Sequence, residues 1–119
     1  MYQYKARYLS NFDGDTCVLV IDLGFGISLE QTVRLNGIDC AELKTGDRKA
    51  AGKAAKVWLE SKLTGRSLIV TTYKPGRGAN DKYGRILADL TVFGEDVTVN
   101  QQMIAAGLAA AYDGGKREG

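Results

Sequence analysis

The chain has 119 residues, 45% of them hydrophobic and 25% charged, which suits one soluble-type globular domain with a single core. It contains no histidine and only two cysteines, Cys17 and Cys40; that excludes Cys–His nucleophilic catalysis, histidine-based zinc sites, histidine general bases and a disulfide scaffold. The net charge of +2 conceals an asymmetry: residues 44–85 hold 11 Lys/Arg against 3 Asp/Glu, and the remainder holds 5 against 11.

The N-terminal stretch MYQYKARYL has neither the basic start nor the apolar core of a secretory leader. No apolar run is long enough to span a bilayer, so a cytoplasmic location and no membrane partner are expected. From residue 16 the chain alternates with period two: Cys17, Leu19, Ile21 and Leu23 share one face, as do Ile27, Leu29, Val33 and Leu35. GFG at 24–26 reads as the hairpin turn between these strands. Arg34 falls on the face opposite Leu35. Over residues 47–63 the period changes, and Ala51, Ala54, Ala55, Trp58 and Leu59 form a helical stripe with Asp47 as N-cap and Gly65 just past the end. Lys49, Lys53 and Lys56 lie off that stripe. Strands are expected at 67–73 and 85–93, separated by the loop KPGRGANDKYG. After FGED and a short VTV segment, Thr98 and Gln101 match a capping box, and Gly107 stops a second helix. The order is strand, strand, strand, helix, strand, strand, helix: an α+β, mainly β fold, a five-stranded OB-fold barrel with two helices.

Four stretches could carry chemistry. Each has a bland reading: DGDT at 13–16 as a tight turn, Arg34 as a surface arginine, Asp39-Cys40-Ala41-Glu42 as an acidic loop, and DKYGR at 81–85 as a turn on Gly84. The basic 44–85 stretch reads either as a solvated helix face and charged loop or as a phosphate-facing surface. Taken together, they supply aspartate oxygens for a hard cation, two arginines for a phosphoryl group, and a further carboxylate to take a proton from water. That set suits phosphodiester hydrolysis.

DGDT, VRLNGIDCAEL and DKYGR in this order, followed by GLAAAY at 107–112, resemble the staphylococcal (micrococcal) nuclease, thermonuclease-like (SNase-like) family. The resemblance runs from residue 5 or so to residue 112. It implies one nuclease domain over 1–112, with 113–119 as a flexible tail. It also implies a Ca2+-dependent endonuclease that hydrolyses DNA and RNA, single strands favoured, with little sequence preference and 3′-phosphate products. Carried over, Asp15 and Asp39 would bind the single Ca2+ together with the backbone carbonyl of Cys40. Glu42 would act as general base on the attacking water, Arg34 and Arg85 would grip the scissile phosphate, Lys82 and Tyr83 the adjoining one, and Tyr112 the nucleotide. Asp13 would stand nearby without ligating. A monomer is expected. Position 40 is cysteine where the best-known member has threonine, and Ala41 replaces a common proline. The Cys40 sulfur is expected to be a bystander, since a hard cation prefers oxygen. The alternative is a catalytically inactive barrel of the same family that binds nucleic acid or a protein partner.

Overall fold

The computed structural model describes residues 2–40, 48–73 and 85–112. Strand β1 (Tyr2–Asn11) alternates as period two requires, with Ala6 buried, Tyr4 and Tyr8 packed against the core, and Lys5 and Arg7 exposed. It pairs antiparallel with β2 (Thr16–Gly24), which forms a hairpin with β3 (Ile27–Leu35). The hairpin turn is Phe25-Gly26, with φ of 58° and 75°. Two positive φ values give the mirror-image turn whose twist matches that of the strands. A two-residue strand β4 (Ile38–Asp39) follows.

Helix α1 (Arg48–Leu63) buries Ala55, Leu59 and Leu63, a row at spacing four, with Trp58 packed beside it. Ala54, expected on the buried stripe, is exposed; the helix turns only its i, i+4 row of Ala55, Leu59 and Leu63 fully into the core. The expected cap Asp47 lies outside the described residues. The helix ends where Gly65 turns left-handed at φ 72° and the Arg66 N–H donates to Leu63 O at 3.1 Å.

Strands β5 (Ser67–Thr72) and β6 (Ile86–Val92) complete a closed barrel in the order β1-β2-β3-β6-β5. All its pairings are antiparallel except β3 with β6. This is the five-stranded OB-fold expected from the element order. Helix α2 (Val99–Ala105) is capped by Thr98, whose Oγ1 accepts from the Gln101 N–H at 3.1 Å. Beyond it β7 (Ala110–Ala111) pairs with β4, a contact of two residues on each side that no sequence pattern signals. Leu19, Val33, Leu35, Leu59, Leu90 and Met103, all at 0% exposure, fill the interior. Among the described residues no helix is long and apolar enough to cross a membrane.

One buried polar side chain ties these layers together. Asn100 of α2 is 3% exposed. Its Oδ1 accepts from the Leu90 N–H at 3.0 Å, and its Nδ2 donates to Asn36 O at 2.8 Å and Ala88 O at 3.3 Å. It thus joins α2 to β6 and to the turn between β3 and β4. Truncating it removes the side-chain partner of the buried Leu90 N–H and of the part-buried Asn36 carbonyl, while Ala88 O keeps the Asn36 N–H; a buried group left unpaired costs about 1–3 kcal/mol. Asn100→Ala is expected to lower stability by about 2–4 kcal/mol in urea denaturation; a loss well under 1 kcal/mol or so would show that these groups find other partners.

Candidate functional site

Barrel closure assembles the site from distant parts of the chain. Across β2–β3, Thr16 pairs with Arg34; across β3–β6, Arg34 pairs with Leu87. Asp15 immediately precedes Thr16, and Arg85 lies two residues before Leu87. Both therefore arrive beside Arg34 at the same end of the barrel. The Leu35 N–H donates to Asp15 O at 2.8 Å, which continues the ladder one step into the turn.

The turn over residues 12–15 is built locally by Asp13, whose Oδ1 accepts from the Asp15 N–H at 3.0 Å. Asp15 is 7% exposed, and both of its carboxylate oxygens have partners. Arg34 Nη1 stands 3.5 Å from Oδ2 and donates to Leu35 O at 2.8 Å. The backbone N–H of Cys40 donates to the same Oδ2 at 3.1 Å. The Thr16 hydroxyl donates to Oδ1 at 3.3 Å and accepts from Arg85 Nη1 at 3.3 Å, so Thr16 links Asp15 to Arg85. Asp39 is also buried and directly precedes Cys40; β7 holds it through the pairing of Asp39 with Ala110. The Tyr112 N–H donates to Gly37 O at 2.8 Å, anchoring that residue beside β4.

The structure thus gathers Asp15, Arg34, Arg85 and the Cys40 backbone, and it buries Asp39 next to them. Glu42, Lys82 and Tyr83, expected here from the sequence, lie outside the described residues. Two contributors were not anticipated: the Thr16 hydroxyl and the Cys40 N–H. Thr16 stood inside the DGDT motif, but its bridging role depends on Arg85, 69 residues away.

Burial is the main force on the site's protonation. It pushes the Asp15 carboxyl above the ordinary range, and its hydrogen bond with Asp13 adds to this. Arg34 and the Cys40 N–H pull the other way without offsetting it. The Cys40 thiol is pushed up to about 12, first by burial and then by the Asp15 and Asp13 carboxylates. It stays protonated at neutral pH and is suited neither to nucleophilic attack nor to soft-metal ligation. Cys17 is raised to about 12 as well, mainly by its burial.

Among the described residues no group of three or more His, Cys, Asp or Glu side chains is arranged to hold a metal ion. Two buried aspartates remain, and the charge of Asp15 is incompletely offset by its protein partners. Hard oxygen donors short of positive charge fit a hard divalent cation whose remaining positions are filled by backbone carbonyl or water.

A family model described as staphylococcal nuclease homologue matches residues 32–118, which include Arg34, Asp39 and Arg85. Asp15 lies before the matched stretch and joins these residues through the strand pairings above. No match was found among curated proteins.

Because folded Asp15 holds its proton more tightly than the unfolded chain does, its contribution to stability is greatest at acid pH and is lost as pH rises through its raised pKa. Asp15→Asn is therefore expected to raise the Tm of the cation-free protein at neutral pH. The advantage should fade below about pH 4, where the carboxyl is protonated in both states. Calorimetry in chelator at the two pH values checks this, and an unchanged or lower Tm at neutral pH would contradict it.

Proposed function

The chain belongs to the staphylococcal nuclease family, and on that premise we propose that it is a Ca2+-dependent endonuclease that hydrolyses DNA and RNA, single strands favoured, with little sequence preference. The observation that carries this reading is the buried Asp15 carboxylate set between Arg34 and, through Thr16, Arg85. Negative charge that a cation can use thus stands directly beside two guanidiniums that a phosphate can use. Asp15 and Asp39 would hold the ion together with the Cys40 carbonyl. When bound, Ca2+ would supply positive charge at a phosphoryl oxygen.

The remaining steps fall to side chains. Arg34 and Arg85 bind the non-bridging phosphate oxygens and stabilise the charge that builds on them as phosphorus becomes five-coordinate. A guanidinium has five N–H donors in a fixed fork, so Arg34 can hold Leu35 O and still address a phosphate. Glu42 takes a proton from the attacking water, whose oxygen forms the new bond to phosphorus. The bond from phosphorus to the 5′-oxygen breaks in line with that attack. The 5′-oxygen leaves as a hydroxyl after taking a proton from solvent water, and the phosphate stays on the 3′ side. Lys82, Tyr83 and Tyr112 would contact the adjoining phosphate and the nucleotide, and the chain would act as a monomer.

Degradation of single-stranded DNA is expected with Ca2+ and lost with a chelator, with Mg2+ as the comparison ion. Arg34→Ala and Arg85→Ala are each expected to lower turnover by roughly 10³–10⁵-fold, by analogy with other arginines of phosphoryl transfer. Glu42→Gln should cost roughly 10²–10⁴-fold as the loss of a general base. Binding without turnover, indifferent to chelation, would favour the inactive-barrel reading. Near-normal turnover in both Arg85→Ala and Glu42→Gln would overturn the mechanism.

A further inference from the structure

The turn that delivers Asp15 is held by more than its own two strands. Pairing of β1 with β2 ends at Asn11 and Cys17. From that last rung the Asn11 side chain reaches out of the sheet. Its Nδ2 donates to Asp13 O at 2.9 Å and to Lys56 O, in the middle of α1, at 3.1 Å. The Tyr8 hydroxyl donates to Asn11 Oδ1, which orients the amide so that its nitrogen faces the turn and the helix.

A second contact falls at the same place on α1. Gly14 is buried, and a Cβ built there would lie 2.6 Å from the Ala55 Cβ, 2.8 Å from the Cys40 Sγ and 3.3 Å from the Ala55 carbonyl carbon. The first distance is far inside van der Waals contact, and Ala55 has no rotamer with which to yield. Cys40 is the residue whose N–H holds Asp15 Oδ2. Consecutive residues of α1, Ala55 and Lys56, therefore meet the turn twice, once by close packing and once by hydrogen bond. The Cys40 side chain closes the remaining side.

We propose that Asn11 and Gly14 are positioning residues: they dock the 12–15 turn on α1 and so fix the Asp15 carboxylate relative to Arg34 and Cys40. The assignment deepens the proposed function and rests on its reading of Asp15 as a cation ligand. It also gives the Cys40 side chain a part, as a spacer against Gly14. Groups that orient a metal ligand commonly change metal affinity by roughly 10–100-fold when removed. A residue that only stabilised the fold would lower Tm and leave the affinity of the folded protein unchanged.

Calorimetric titration of the full chain with Ca2+, at a temperature where circular dichroism shows each variant folded, tests this. Asn11→Ala and Gly14→Ala are each expected to weaken Ca2+ binding by roughly tenfold or more. Adding Ala55→Gly to Gly14→Ala removes the hardest clash and should recover a good part of that loss. Affinities within twofold or so of the parent in both single variants, or no recovery in the double variant, would overturn the assignment. If the parent itself binds no Ca2+, the ligand reading of Asp15 fails, and NMR still decides the docking. The Asp15 and Cys40 amide resonances should shift in Asn11→Ala, and unmoved resonances would refute the docking independently.

Discussion

The parallel pairing of β3 with β6 closes the barrel through Val33 with Ile86, Arg34 with Leu87, and Leu35 with Ala88. Val33, Leu35 and Ala88 are fully buried, while Arg34 between them faces the site. Side chains alternate along a strand, so a slip of one residue would turn Arg34 inward and Leu35 outward. An isolated charge in an apolar interior costs on the order of tens of kcal/mol before relaxation, against a total stability of about 5–15 kcal/mol for a typical domain. Even after relaxation a penalty on the order of several kcal/mol remains, a large share of that stability, so the register is strongly held. The same register brings Asp15 and Arg85 to one place, so the core's demand for Leu35 and the site's demand for Arg34 are met by one pairing.

What surrounds that pairing is a set of polar braces that tie the strands to the helices. Asn100 of α2 reaches the carbonyl of Asn36, just ahead of the strand that carries Asp39. Asn11 reaches from β1 to the middle of α1 while holding the turn that carries Asp15. Both braces reach backbone carbonyls and neither ends on Asp15, Arg34 or Arg85, although the Asn100 amide also donates to Asp89 Oδ1 at 3.3 Å. Backbone position can thus be set without drawing on the donors and acceptors needed for a ligand. Lys62 near the end of α1 meets Glu95 at 2.9 Å, a further link between that helix and the turn after β6.

The charges within the site are arranged differently. Arg34 opposes the burial of Asp15 from 3.5 Å but does not offset it, and the Asp13 carboxyl adds to the deficit. A fold optimised for stability alone would place an apolar residue there. A buried carboxyl pushed above its ordinary range beside two arginines is the kind of arrangement found at functional sites. Cys40 belongs to the same frame: its thiol, raised to about 12, is chemically quiet, while its N–H and its bulk act on Asp15 and Gly14.

Much of this was legible beforehand. The two longest-patterned strands, both helix ends at Gly65 and Gly107, the Thr98 cap and the order of elements follow from periods of 2 and 3.6 and from turn chemistry, which act over a few residues. The site motifs were visible too, because chemistry needs particular residue types whatever holds them. Less legible were Ala54, which the helical stripe placed inward and the barrel leaves exposed, and the short β4–β7 pair. By itself the sequence determined the barrel class, the polypeptide order and the kinds of side chain available for the site. Only the tertiary structure decided that Cys40 would hold Asp15 across 25 residues, that Asn11 would reach α1 across 45, and that Thr16, beside Asp15, would meet Arg85 across 69. Hydrogen bonds over such separations follow from strand register and helix docking, and these are settled by the packing of the whole core.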